Sequence, residues 1–241
     1  MLIEFSTKAQ TLIRLQSVLK TACIANVVSF TVSDWQNNQS DCLNAIYKNA
    51  GTEPWIVRSS CSREDQSDQS YAGAFLSVLN VDANGVVSAV EQVIGSYGAY
   101  DLADEILVQP QLKNVLRSGV AFSHDPNTCS PYRIINWSEG DDTTAITGGM
   151  GGHTWQQAAK ASIHLPSMIV PVLRLLDELS ELYGHRPIDC EFAFTQDGSG
   201  EKLWLLQARP LILSSMPETE EQQESRLSII HSQIARGMKS H

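Results

Sequence analysis

Apolar residues along this chain change their spacing several times, and each change marks an element. Leu12, Leu15, Val18 and Leu19 recur at helical intervals behind Ser6 and Thr7, either of which can cap a first turn, so STKAQTLIRLQSVL is predicted to be a helix. The short apolar or β-branched runs on either side, LIEF and VVSFTV, are predicted strands. SDWQNNQSDCLNAIYKNAG is predicted helical and closes at Gly51. PWIVRSS has strand character, a stretch of small and polar residues follows, and FLSVLNV is a second strand. VVSAVEQVIGSYG is a predicted helix, and DEILVQPQL, SGVAFSHDP and YRIINWSEG are predicted strands ahead of the glycine cluster TGGMGGH. The clearest helix is SMIVPVLRLLDELSELYG, with a stripe at Ile169, Leu173, Leu176 and Leu179 and a stop at Gly184. Two alternating arms around QDGSG make IDCEFAFTQDGSGEKLWLLQARPL a predicted β-hairpin. After Pro217 the chain turns acidic and glutamine-rich, then offers an amphipathic helix, RLSIIHSQIARGM.

Strands and helices are interspersed without regular βαβ alternation, which predicts an α+β fold. A length of 241 residues suits one large domain or two small ones. The expected division is a main domain over 1–213, in two lobes of about 1–105 and 106–213, followed by an acidic linker and C-terminal helix over 214–241. A net charge of -10 argues against nucleic acid as a partner, because such affinity needs a basic face, but leaves room for a small anion in one basic pocket. Cys23, Cys42, Cys61, Cys129 and Cys190 form no C-x-x-C pair, which is expected of reduced thiols in a cytoplasmic protein. The N-terminal residues lack the pattern of a signal peptide, and no apolar run approaches the roughly 20 residues of a membrane helix.

Three clusters carry candidate chemistry. In the hairpin, Asp189 and Glu191 share one face of the first arm, and Gln207 and Arg209 share one face of the second. Arms about 5 Å apart bring a carboxylate, an amide oxygen and a guanidinium together, a set that suits Mg²⁺ and phosphate. A simple cross-strand Glu–Arg pair is the alternative. Arg58 stands at the end of a predicted strand, before Ser59, Ser60, Ser62, Ser67, Ser70 and Gly73, whose unobstructed backbone suits a phosphate cradle or a plain polar loop. Lys8 is a third candidate cation, at a helix start where a lysine opposes the dipole unless an anion is shared there.

These same residues carry a family likeness. VRSSCSREDQSDQSYAGAFLSVLNV resembles the V-R-S-S…S-(F/Y)-A-G…L-N-V segment of the phosphoenolpyruvate synthase and pyruvate phosphate dikinase superfamily. GVAFSHDPNT is similar to that family's G-V-x-F-(T/S)-x-D-P, IDCEF…LWLLQARPL to its D-x-E-(W/F)…L-Q-A-R-P, and STKAQTL stands where the family has G-G-K-G-A-N-L. The resemblance implies an ATP-grasp-type nucleotide-binding domain using ATP and Mg²⁺. Lys8 and Arg58 are then expected on the ATP phosphates, Glu191 and Gln207 on Mg²⁺, and Arg209 on the phosphoryl group in flight, with Arg58 and Arg209 the catalytic candidates. LVQPQL corresponds to a V-Q-x-M-V strand facing adenine, so Gln109, Gln111 and Leu112 are expected there. In that superfamily ATP becomes AMP and phosphate through a phosphohistidine on a separate domain, which then serves a third, substrate-specific site. The implied partners are therefore a nucleotide, a phosphohistidine carrier domain and a substrate domain.

The chain also departs from the pattern. The family's long helical insert is nearly absent between Val81 and Val108, and NWSEGDDTTAITGGMGG, with Gly140 and Gly148, stands where G-L-G-E is expected. The compact middle is closer to the L-glutamine kinase branch, which phosphorylates the amide of glutamine. A phosphoenolpyruvate synthase, a rifampin phosphotransferase and a degenerate ATP-binding regulatory module are the alternatives. TGGMGGH has the spacing of the superfamily's phosphohistidine motif, leaving His153 as phosphoacceptor, lid residue or plain loop, whereas His124 in FSHDP is expected to be a turn histidine.

Overall fold

The structure, a computed structural model, describes residues 2–61, 76–98, 100–140, 152–161, 165–198 and 200–239. The fold is α+β, with two sheets whose strand pairs are all antiparallel. The first sheet has the order β1-β4-β2-β3 and is built from β1 (Val28–Thr31), β2 (Trp55–Ser60), β3 (Ser77–Val81) and β4 (Glu105–Pro110). The second has the order β7-β6-β5-β8-β9 and is built from β5 (Val115–Phe122), β6 (Tyr132–Glu139), β7 (His153–Ala158), β8 (Ile188–Asp197) and β9 (Gly200–Pro210).

Each sheet has its own core. In the first, Val57, Ile106 and Val108 pack beneath α2 (Val32–Asn37), α3 (Gln39–Asn49) and α4 (Val86–Ser96), which contribute Trp35, Ile46, Val90 and Val93. The helix predicted over 33–51 is two helices. Thr31 and Asp34 form a reciprocal capping box that starts α2 directly at the end of β1, and the chain breaks at Asn38. Gly51, at φ +78°, then turns the chain toward β2.

The second core gathers Phe192, Phe194 and Leu205 with Leu175, Leu176 and Leu179 of α5 (Val170–Leu182). It also contains Leu12 and Leu15 of α1 (Lys8–Gln16), although α1 precedes the first sheet in the chain. Leu107 belongs to this cluster too, while its strand neighbours Ile106 and Val108 belong to the other. Strand alternation thus lets β4 serve both cores at once.

Residues 2–5 do not form the predicted strand. Ile3 makes a backbone bond to Leu182, and Phe5 stacks on Tyr183 with ring centroids 3.7 Å apart. The acidic stretch after Pro217 begins a helix earlier than its pattern suggests, since α6 spans Glu220–Lys239. Arg133 on β6 reaches both Asp177 of α5 (3.2 Å) and Glu220 of α6 (3.1 Å), and Lys160 reaches Glu221 at 3.0 Å. The glutamates of that stretch therefore dock the helix. Among the described residues, no helix is long and apolar enough to cross a membrane.

Gly119, in the centre of β5, lies where a Cβ would meet the Asn136 carbonyl oxygen at 2.2 Å and the Phe192 ring at 2.8 Å. A backbone carbonyl held in a sheet cannot step aside cheaply. Gly119→Ala is expected to lower the unfolding free energy by about 1–3 kcal/mol, the usual cost of overpacking. An unchanged urea midpoint would contradict this account.

Candidate functional site

The site is assembled where the end of β2 meets the face of the β8–β9 hairpin. α1 sets the alignment. Thr7 caps it, accepting from the Gln10 amide, and the next exposed donor, the Ala9 amide, is taken by the Ser60 hydroxyl at 2.8 Å. The first turn of α1 has no acid of its own. Glu105, at the start of β4, supplies one: its carboxylate accepts from the Thr7 hydroxyl and from the Gln10 side-chain NH₂ (2.7 Å). Lys8 is thereby carried to the end of β2, beside the strand that bears Arg58.

Arg58 points away from the first core and across to the hairpin. One of its terminal nitrogens lies 3.6 Å from the Glu191 carboxylate and another 3.4 Å from the Leu206 carbonyl oxygen. Its Nε is buried without a partner. Such an atom costs stability wherever it stays unpaired. The Arg58–Glu191 separation is longer than a hydrogen bond, so the two charges attract without locking together. Glu191 stands opposite Gln207 in the register, and Asp189 stands opposite Arg209. Asp189, nearly buried, takes Arg209 Nε with both oxygens, at 2.8 and 2.9 Å, and so aims a half-exposed guanidinium.

The hairpin contains a β-bulge. The register shifts between Glu191 and Phe192, and Leu206 is the extra residue on β9. On β8, Ile188, Cys190, Phe192 and Phe194 face the core, as do Leu203, Leu205 and Ala208 on β9. The opposite face therefore carries Asp189, Glu191, Ala193 and Thr195 on one arm, and Lys202, Trp204, Gln207 and Arg209 on the other.

Residues 33–101, spanning the helices and the β2–β3 pair of the first sheet, match the family described as "Pyruvate phosphate dikinase, AMP/ATP-binding domain". Of the residues expected on a nucleotide, Arg58 lies within that match. No curated protein matches the chain by sequence. Among solved structures, the chain is similar to D-alanine-D-alanine ligase from Helicobacter pylori, with TM-score 0.51 and 13% identity over 86% of this chain and 54% of the ligase. It is also similar to the dinucleotide-forming acetyl-coenzyme A synthetase 1 of Ca. Korarchaeum cryptofilum, solved with coenzyme A, Ca-AMPCP and HgCl+, with TM-score 0.51 and 10% identity over 86% of this chain and 93% of that one. The fold is ATP-grasp-like. The chain spans about half the length of the ligase it matches.

Within this ATP-grasp-like frame, the structure brings Arg58, Glu191, Gln207 and Arg209 to one hairpin face, with Lys8 anchored nearby through Ala9 and Ser60. The residues expected near adenine divide. Gln111 and Leu112 line a cavity of about 710 Å³ at the crossing between the sheets. Gln109 is buried within β4, opposite Ile56. The Gln111 side chain is engaged at both ends by Asn80, at 2.7 and 3.2 Å. Of the serines expected to cradle phosphate, Ser59 and Ser60 are buried, and Ser60 serves α1 instead. Ser62, Ser67, Ser70 and Gly73 lie outside the described residues, as does Gly148. His153 is not in a plain loop: it opens β7 and stacks on Trp137 at 5.2 Å. His124 hydrogen-bonds with the Ser123 hydroxyl at 3.0 Å, and burial lowers its pKa.

Sequence reasoning missed Glu105 and Trp204. The first is tied to Thr7 and Gln10, 98 and 95 positions earlier, a pairing that no local pattern reveals. The second was hidden by the bulge, because uninterrupted alternation places Trp204 and Gln207 on opposite faces. Glu105→Ala strips the Thr7 hydroxyl and the Gln10 side chain of their acceptor and removes a carboxylate from the start of α1. It is expected to cost about 1–3 kcal/mol in chemical denaturation, with Glu105→Gln recovering part of the loss through its remaining carbonyl oxygen.

Proposed function

We propose that this chain binds ATP with Mg²⁺ between its two sheets, as the nucleotide-binding part of a phosphotransferase. The observation that carries the proposal is Arg58 reaching from β2 across to Glu191, opposite Gln207, with its buried Nε left unpartnered. A guanidinium with one donor on the Leu206 carbonyl and its Nε unpartnered, beside a carboxylate held at 3.6 Å, leaves room for an anion and a cation to bridge them.

The residues suit the metal. Mg²⁺ prefers hard oxygen ligands and takes only one or two from protein when phosphate oxygens supply the rest. Glu191 and the Gln207 amide oxygen meet that need. Among the described residues, no group of three or more His, Cys, Asp or Glu stands ready to hold a metal unaided. Mg²⁺, when bound, neutralises charge on the phosphate oxygens. Lys8 and Arg58 hold the phosphates, and Arg209, aimed by Asp189, faces the charge that develops on the transferred group. Positioning and electrostatics of this kind supply most of what phosphoryl transfer requires.

The likeness of residues 33–101 to a dikinase AMP/ATP-binding domain supports conversion of ATP to AMP and phosphate through a phosphohistidine on another domain. The acceptor we put forward is the amide of glutamine, on the likeness in the compact middle of the chain. Calorimetric titration of the chain with ATP and Mg²⁺ tests the nucleotide site. Saturable binding in the micromolar range is expected, weakened tenfold or more in Glu191→Ala and Arg58→Ala. Glu191→Ala should also lose most of the dependence on Mg²⁺. Absence of saturation at millimolar ATP would remove the proposal. For the acceptor, the chain supplied with its carrier and substrate domains should form AMP faster with glutamine than with pyruvate.

A further inference from the structure

Past its anchor, α6 carries an apolar seam that is open to solvent. Gln223, near the start of the helix, is buried against the body, and Leu227, one turn on, is partly buried. The same stripe continues as Ile230, Ile234 and Met238, which are 40%, 57% and 77% exposed. From Gln223 to Ile234 the steps alternate between four and three residues, the spacing of a helix that packs lengthwise on another helix. Ile229, on the far side, takes no part in the seam.

Gly237 falls at the next position of this seam. Glycine weakens a helix interior. Here, among the described residues, no atom beyond its own stretch of helix comes within 4 Å of the place a Cβ would take. Its small size therefore serves no packing contact on this side of the seam. It leaves a hole of the kind that a knob from a facing helix fills.

The seam is complementary to itself. Leu227 and Gly237 are equally distant from Ser232 along the helix, and so are Ile230 and Ile234. A two-fold axis beside Ser232 sets the Leu227 of each copy against the Gly237 of the other, and Ile230 against Ile234. A two-fold contact between identical chains requires such a surface. Charge favours the same direction. Glu220, Glu221 and Glu224 occupy the first turns of α6 and Arg236 its last. An antiparallel pair draws Arg236 toward the acidic turns of the other copy and brings opposite ends of the helix dipoles together. A parallel pair would stack acids on acids and leave glycine facing glycine.

We propose that α6 is the pairing surface for a second copy of this chain, with the two helices antiparallel along Leu227, Ile230, Ile234 and Gly237. The contact spans about three turns, which is small for a specific interface, so micromolar rather than nanomolar affinity is expected. The pairing does not depend on the ATP site proposed above.

Sedimentation equilibrium of the full chain, from low micromolar to millimolar concentration at moderate ionic strength, tests the pairing. A monomer–dimer equilibrium is expected. Ile234→Glu places a carboxylate in the seam twice, once from each copy, and should raise Kd about a hundredfold or more. Because Ile234 is exposed in the single chain, this variant keeps its fold and its ATP titration. Val87→Glu, an equally radical change at an exposed position on α4, should leave Kd unchanged. Direction is read from disulfides formed under mild oxidation: a Leu227→Cys chain mixed with a Gly237→Cys chain should cross-link to it in preference to itself. A chain that stays monomeric throughout overturns the proposal. So does a dimer that persists in Ile234→Glu, or a cross-link that joins position 227 to position 227. None of these outcomes touches the nucleotide site, which stands or falls on its own titration.

Discussion

The facing of the two sheets depends on how one short helix is held. α1 buries Leu12 and Leu15 in the second core, yet its N-terminal end is held by groups on the first sheet: the Ser60 hydroxyl takes the Ala9 amide, and the Glu105 carboxylate takes the side chains of Thr7 and Gln10. Helix starts carry unsatisfied donors and partial positive charge, so a carboxylate there is stabilising, the more so when partly buried. Because Ser60 and Glu105 are register partners on adjacent strands, a single helix end closes over two strands at once. Arg58 lies two residues before Ser60. Its reach to Glu191 is set by that junction.

The hairpin is the second determinant. Period-two alternation alone would turn either Gln207 and Arg209 or Trp204 toward the core. One inserted residue, Leu206, rephases β9 so that Leu203, Leu205 and Ala208 stay inside while Trp204, Gln207 and Arg209 share the outer face. The bulge lengthens the stretch of strand that shares this outer face, at the cost of one missing rung in the ladder.

How much of this was legible in the sequence follows the range of the interactions. Local signals were read well: the Thr7 cap, the stops at Gly51 and Gly184, the QDGSG hairpin, and Arg58 at a strand end. β7 was missed because HTWQQA is largely exposed and shows no alternation to detect. LIEF has a strand's apolar content, but its place is against the end of α5. The clamp at Glu105 and the face of Trp204 were beyond reach, one depending on distant pairing and the other on register. Buried Gln109 and the self-occupied Gln111 show the same limit, since a side chain's partners are tertiary facts.

The C-terminal helix illustrates what one-sided attachment means mechanically. Its 20 residues are held near the start, where Glu220 and Glu221 meet Arg133 and Lys160, while residues 228–238 are exposed to solvent. Within the described residues this rod of about 30 Å is held near one end, as a cantilever is. A tilt of about 10° at the anchor would swing its far end by about 5 Å for that length, and the load would fall on the ionic contacts around Arg133 together with the buried Gln223. The ionic share of that joint would soften as salt screens its charges.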